Sequence, residues 1–382
     1  YDGTEFFPII VGGIHELDYD GEVAPFTAGE VLTGGTSGAT ALIRSVDDQG
    51  ATGTLRLSGI ANGPFQNNET ITDALTGEAL ANGTTTQIVP GIDYASDDLS
   101  YVWAYKNRLF FVKRDSLNAG YLPVDQIGGT LTDLPLGGVF ERGGSLLFGA
   151  TWSLDSGQSG GLSEQCIFVT TEGEVAVFQG SDPSDVTDWR KVGVYRIGRP
   201  LGKKAWIRAG GDLVIATSIG FVPLSQAIQR DYAALSPSAV SYPIEEAWNE
   251  AVLERGTEGW SCEVWPESQM VVVSPPELIG ETPSVFVANA RTGAWARFTG
   301  WNATCLEVWR GRLFFGSSDG RVVEANVGGT DEGSTYTSVF LPLYDDLRQP
   351  ASLKVGEMGR ATIRSQVEIN ELVEFRSDFD RT

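Results

Sequence analysis

Histidine is all but missing from this chain. There is one, His15, and the cysteines are only three, Cys166, Cys262 and Cys305. Most zinc sites need a cluster of these residues, and a histidine-based catalytic triad needs a relay partner beside the histidine. The odd cysteine count and the lack of any CxxC spacing argue against a disulfide framework, so the thiols are expected to be reduced and mostly buried. No apolar run is long enough to span a bilayer, which predicts a soluble chain with no membrane insertion of its own. No signal peptide is visible at the start. The first residue is Tyr1 rather than Met, as expected of a processed chain or of part of a longer product.

Positive charge is also scarce. Lys and Arg number 27 against 50 Asp and Glu, a formal net charge of −23. A chain so acidic does not wrap nucleic acid by neutralising phosphates. The charge suits a protein kept soluble at high concentration, or the wall of a passage through which DNA slides without sticking.

Glycine, in contrast, is abundant at 47 residues, and with 17 prolines it is spread along the whole chain. That distribution fits many short strands joined by tight turns. Two repeats organise them. The first aligns FTAGEVLTGGTSGATA, from Phe26, with FQNNETITDALTGEALA, from Phe65. Phe26 matches Phe65, Glu30 matches Glu69, Leu32 matches Ile71, Thr33 matches Thr72 and Gly38 matches Gly77. Thr52 to Ile60 reads as one alternating strand between the copies. A small all-β module over residues 21–90 is expected. Each Phe should plug its core, and Gly38 and Gly77 should sit in turns needing unusual backbone angles. The module reads equally as a partner-contact decoration or as a passive insertion.

The second repeat is a strand, a tight polar turn and a strongly apolar strand. It occurs at Val102–Val112, Phe140–Ala150, Ile207–Thr217, Val264–Ser274 and Val308–Ser317. The turns are Lys106-Asn107, Gly143-Gly144, Gly210-Gly211, Glu267-Ser268 and Arg310-Gly311, which suit two-strand hairpins. The apolar triplets, such as Leu109-Phe110-Phe111, read as central strands buried on both faces. Further turns end at Gly173, Gly220, Gly293 and Gly320. Three or four strands over roughly 40 residues mark propeller blades.

The predicted fold class is therefore all-β, a β-propeller with five visible blades and six or more when closed, carrying an inserted β module and one helical insertion. The expected blades are 99–137, 138–200, 204–258, 260–300 and 303–341. Expected domains are 1–20, N-terminal strands of the propeller; 21–90, the duplicated module; 91–341, the propeller; and 342–382, a β-rich extension leaving it. The helical insertion spans Ser225 to Arg255. Pro243 starts its helix, acidic residues fill the first turn, and Ile244, Ala247, Trp248, Ala251 and Val252 recur at helical spacing. Trp248 reads as a packing anchor laid over a blade edge or a subunit neighbour.

Chemistry is harder to find. The carboxylate pairs Asp47-Asp48, Asp97-Asp98, Glu245-Glu246 and Asp345-Asp346 are adjacent in sequence, and neighbours on a strand point to opposite faces. A glycosidase needs two carboxylates facing across a cleft. Gly180 to Trp189 is acidic and turn-rich but lacks calcium-loop spacing, and reads as a surface loop. Leu154 to Glu164 is Gly/Ser-rich without a phosphate-loop ending, and reads as an excursion between strands. Arg199 to Lys204 is the densest basic patch, and reads as a solvated turn or a contact for an acidic neighbour. Trp103, Trp152 and Trp301 are candidates for stacking on sugars, with blade interfaces the competing place for them. No catalytic, cofactor-binding or metal residue is assigned, and no cofactor.

One stretch resembles a known family. Tyr101 to Ser225 carries WAYKNRLFFV, GYLPVDQIGG, GGSLLFGATWSLDSG, FVTTEGEVAVFQGSDPSDVTDW, VGVYRIGRPLGKK and GGDLVIATSIGFVPLS. In this order the motifs resemble the tail hub or nozzle proteins of short-tailed phages. The doublet at Phe26 and Phe65 is similar to small β inserts of phage structural proteins. The resemblance implies a virion protein, a homohexamer of propellers around a channel for genome ejection, assembled in the host cytoplasm. It further implies portal or adaptor proteins on one side, fibres or a tail tip outside, and DNA passing without specific binding. It implies no enzyme, since no catalytic residue carries over. The alternative is a carbohydrate- or receptor-binding propeller of a virion or secreted protein. A propeller hydrolase is a third class.

Overall fold

A computed structural model describes residues 13–89, 91–92, 98–154, 163–328, 330 and 333–339. It divides into two compact units, Tyr1–Ala325 and Asn326–Thr382. The second carries no named helix or strand among its described residues. The expected extension 342–382, Asp345-Asp346, Asp97 and most of the excursion 154–164 lie outside the described residues, as do residues 1–12.

The first strands close on themselves. β1 (Ile14–Ala24), β2 (Val31–Gly34), β3 (Thr40–Asp48), β4 (Thr52–Ala61), β5 (Thr70–Thr72) and β6 (Glu78–Val89) form a barrel in the order β1-β4-β3-β2-β5-β6. Residues 14–20, expected in the propeller, instead pair with β4 and β6 as the barrel's first strand. The reason is alternation: Ile14, Leu17 and Tyr19 are buried, and the last two join Phe26, Leu32, Leu57, Phe65 and Ile71 in one core. Closure also leaves no strand edge to aggregate. Both phenylalanines plug this core as their repeat predicts.

The duplication is visible as symmetry. Thr33 of β2 pairs antiparallel with Thr72 of β5, its own counterpart in the repeat. Gly38 has the expected positive φ of 67°. Gly77 differs: its φ is ordinary, and crowding explains it, because a Cβ there would meet the Asp73 carboxylate and the Phe26 ring at 2.6 Å.

The remaining strands build five antiparallel sheets in chain order, the blades of a β-propeller. Blade 1 holds β7 (Leu99–Tyr105), β8 (Arg108–Lys113), β9 (Asn118–Tyr121) and β10 (Thr132–Pro135). Blade 2 holds β11 (Leu146–Leu154), β12 (Ser163–Thr170), β13 (Glu174–Gln179) and β14 (Arg190–Arg196). Blade 3 has β15 (Trp206–Ala209), β16 (Asp212–Thr217) and β17 (Gly220–Pro223). Blade 4 has β18 (Ser261–Trp265), β19 (Met270–Ser274), β20 (Ser284–Asn289) and β21 (Trp295–Thr299). Blade 5 has β22 (Ala303–Trp309), β23 (Arg312–Ser317) and β24 (Val322–Glu324). Each sheet runs from first strand to last in sequence order.

Four of the five apolar triplets are second strands, as expected; those of blades 1, 3 and 4 are buried on both faces, while in blade 5 Leu313 and Phe315 are buried and Phe314 is half-buried. Blade 2 is the exception. Leu146-Leu147-Phe148 lies on β11, the first strand, and residues 136–145 before it form no strand, so Gly143-Gly144 close no hairpin. Its second strand is β12, with Cys166, Ile167, Phe168 and Val169 buried. The two glycines instead carry a loop whose Glu141 and Arg142 amides donate to the buried Glu174 carboxylate. The glycines ending the later turns, Gly173, Gly220, Gly293 and Gly320, all have positive φ.

A recurring bond joins successive blades. The Tyr105 hydroxyl, at the end of β7, donates to the Gly180 and Glu164 carbonyls of blade 2, at 2.7 and 3.1 Å. The Trp152 indole of β11 donates to Asp212 of blade 3 at 3.1 Å. The Trp265 indole, ending β18, donates to the Gly311 carbonyl in the first hairpin turn of blade 5 at 2.8 Å. Between blades 3 and 4 the helical insertion takes over. It comprises α1 (Leu224–Gln229), three short 3-10 turns and α2 (Glu245–Arg255), the last being the helix expected after Pro243. Trp248 of α2 is fully buried beside Trp260 and Phe286, and its indole donates to the Thr217 carbonyl at 2.9 Å. The insertion also occupies the outer edge of the three-stranded blade 3, where Val240 N–H donates to Phe221 O and Ser241 Oγ accepts from Phe221 N–H.

Candidate functional site

First strands of several blades lie against one another. Lys203, on the approach to β15, donates through Nζ to the Ser100 carbonyl of β7 at 3.2 Å, reaching past blade 2. Lys204 forms a parallel bridge with Ser261 of β18. Tyr101 of β7 lies 6.0 Å from Phe148 of β11, which stacks on Trp206 of β15 at 5.8 Å. Burial raises the Tyr101 hydroxyl pKa, opposed by the nearby Trp206 indole and by the charge of Arg208. Three blades thus meet through one aromatic contact network.

The charges near these strands are sorted by blade. Lys203, Lys204 and Arg208 come from blade 3, Glu263 from blade 4 and Glu307 from blade 5. Burial holds the Glu263 carboxyl above its ordinary pKa. The bond from its own Val264 amide, at 3.1 Å, opposes this, Glu307 adds to it, and Lys204 counters it. A carboxyl so placed carries a proton more readily than a solvated one. Its raised pKa comes from burial on a first strand, which the sequence pattern did not signal directly. The clue available was position: Glu263 and Glu307 sit on first strands of adjacent blades, each flanked by apolar residues.

The candidates singled out in the sequence fall elsewhere. Trp103, Trp152 and Trp301 pack between sheets, not on an open platform. Trp103 stacks on Phe110, Trp152 is buried, and Trp301 stacks on Phe315. Asp47 and Asp48 lie on the barrel, Glu245 and Glu246 on the first turn of α2. The acidic loop from Gly180 to Trp189 is closed on itself. Asp188 accepts from the Ser181 and Asp182 amides, Asp182 from Ser184, and Asp185 from Thr187. These bonds depress the pKa of all three, with the Ser184 and Thr187 side chains and the Ser181 amide the leading causes in turn. Carboxylates already engaged by their own backbone make the loop a folded surface turn. Beside it a cleft of about 250 Å³ is lined by Lys106, Glu164, Gln179, Ser181, Asp188 and Arg190, with Lys106 and Glu164 paired at 3.2 Å. Among the described residues no group of three His, Cys, Asp or Glu has metal-holding geometry. Cys166 and Cys262 are buried, as expected of most of the thiols, and burial pushes both well up, whereas Cys305 is exposed.

No protein-family model and no curated protein matches the sequence. Several solved structures are distantly similar. A candidate 6-phosphogluconolactonase from Bacteroides fragilis aligns at 11% identity and a TM-score of 0.37, over 79% of this chain and 96% of its own. A second, from Bacteroides uniformis, aligns at 10% identity and a TM-score of 0.35, over 82% and 95%. YCF48 from Cyanidioschyzon merolae aligns at 8% identity and a TM-score of 0.27, over 81% and 100%. At such scores these likenesses carry no argument about activity, and the propeller is read from the sheets themselves.

Proposed function

We propose that this chain is a structural component of a phage virion tail, a hub or nozzle subunit that assembles as a homohexameric ring around the channel for genome ejection. One observation carries the reading. The run of motifs that resembles that family, Tyr101 to Ser225, is the stretch that forms blades 1 to 3, a block held together by the Tyr105 and Trp152 bonds, the Lys203 bridge and the Tyr101–Phe148–Trp206 contacts. A stiff block with variable loops is what a ring segment under load requires. In this reading the protein has no catalytic role. It docks portal or adaptor proteins and fibres or a tip, and lets DNA pass an acidic wall unbound.

The test is the mass of the purified protein. Multi-angle light scattering with negative-stain imaging should show rings of about six subunits, the number the resemblance implies. A monomer that binds or turns over a glycan would sink the reading and favour a carbohydrate-binding or hydrolytic propeller.

A further inference from the structure

The charge of this chain is unevenly distributed. Between Arg190 and Gly211 there is no acidic residue, while Arg190, Lys191, Arg196, Arg199, Lys203, Lys204 and Arg208 are all basic. The other 360 residues carry 20 bases against 50 acids. The basic stretch begins on β14, the outermost strand of blade 2, beyond which no further strand pairs among the described residues. Lys191 and Arg196 are exposed there, next to the half-exposed Val192, and the Arg196 guanidinium covers the Tyr232 ring at 4.5 Å. Among the described residues, only Arg199 of the seven bases has an ion pair, with Glu172 at 2.8 Å. The rim therefore offers unneutralised cations, an apolar side chain and an open strand edge together.

The complementary surface is on the barrel. Asp18 of β1 and Asp47 of β3 are both in register with Thr54 of β4, so the three lie side by side on one face. Asp18 and Asp47 are exposed, Asp18 accepts from Thr54 Oγ1 at 2.7 Å, and Asp20 continues the row. Acidity here is dense enough that Glu22, Asp48 and Asp47 all help raise the pKa of the buried Tyr19, after burial itself.

We propose that the basic rim of blade 2, Lys191 and Arg196, docks on the acidic barrel face, Asp18, Asp20 and Asp47, of a second copy of this chain. The inference rests on the ring reading above and names the faces that meet. Two different patches make a heterologous, head-to-tail contact, which closes into a ring when the rotation per subunit allows it. Opposite potentials across such a contact fix partner and register. The competing role for lysine and arginine on an open strand is to keep other strands away. That role needs charge of either sign, whereas docking needs positive charge.

The experiment exploits this difference in the full-length chain. One variant carries Lys191→Glu with Arg196→Glu, the other Asp18→Lys with Asp47→Lys, and circular dichroism checks that both fold. Each alone should shift the assembly from ring mass to monomer mass, with a roughly tenfold or greater rise in the concentration needed to assemble. Mixed one to one, they should restore rings of alternating subunits, because each new acidic rim then meets a new basic barrel. Wild-type rings should also weaken as salt rises from about 0.05 to 0.5 M. Rings that persist in both single variants would overturn the docking contact while leaving the ring reading intact. A wild-type chain that is monomeric at low salt would overturn both.

Discussion

Single carboxylates decide much of the barrel. Glu69 is buried, yet its oxygens accept from the Thr36, Ser37 and Gln66 amides and from the Ser37 hydroxyl, at 2.5 to 3.1 Å. Burial pushes its pKa up, but the bonds from Ser37, Gln66 and Thr36 outweigh it and the net shift is downward. Asp73 does the same work in the other half, accepting from Leu75, Gly77 and Thr27. Each carboxylate ties the turn of one repeat to the start of the other. They occupy different positions in the repeat, so aligning Glu30 with Glu69 in sequence gives the ancestry and not the partner. Glu69→Ala should destabilise the barrel by about 2–3 kcal/mol, seen in urea unfolding, because several donors lose a charged acceptor. Since the folded pKa is depressed, this stabilisation is complete above the unfolded value of about 4.3 and is lost as pH falls through the folded value. Acid unfolding of Glu69→Gln should lack that component, and an identical acid profile would contradict the assignment. On the first strands of blades 4 and 5, a carboxyl-carbon NMR titration should place Glu263 above an ordinary glutamate, and Glu307→Gln should lower its midpoint. No movement would mean that burial alone sets it.

At the level of elements, the blades were readable because their signals are local. A hairpin turn such as Lys106-Asn107, both with positive φ, and the apolar strand after it are contiguous in sequence. Blade 2 misled because its strongly apolar β11 follows two glycines that imitate a hairpin, while the real turn partner of β12 lies beyond the Gly/Ser-rich excursion. The first barrel strand misled for a different reason: its partners β4 and β6 are dozens of residues away, and nothing within Ile14–Ala24 names them. The contacts among first strands were illegible altogether, since they gather residues from Ser100 to Glu307. The bonds between blades can be tested individually. Trp265→Phe keeps the ring and loses the donor to Gly311, and should cost about 1 kcal/mol. Trp265→Ala should cost about 3–5 kcal/mol by leaving a cavity between blades 4 and 5. Equal costs in chemical denaturation would show that the hydrogen bond, not the packing, dominates.

At the scale of the whole molecule, two cores of different construction share one chain. The barrel is closed by strand pairing, while the propeller is held by side chains crossing from sheet to sheet. Those crossings have a direction. Tyr105, Trp152 and Trp265 each reach from one blade to the next in sequence. Trp309 stands at the corresponding end of β22 in blade 5, but its ring is 51% exposed, Arg310 lies over it at 4.4 Å, and among the described residues its indole finds no acceptor. Pulled apart by force, such an array yields from its ends: among the described residues blades 1 and 5 are each clasped by one sequence neighbour, while blades 2, 3 and 4 are clasped on both sides or held by the helical insertion, so rupture starts at a terminal blade and travels inward, one aromatic clasp at a time.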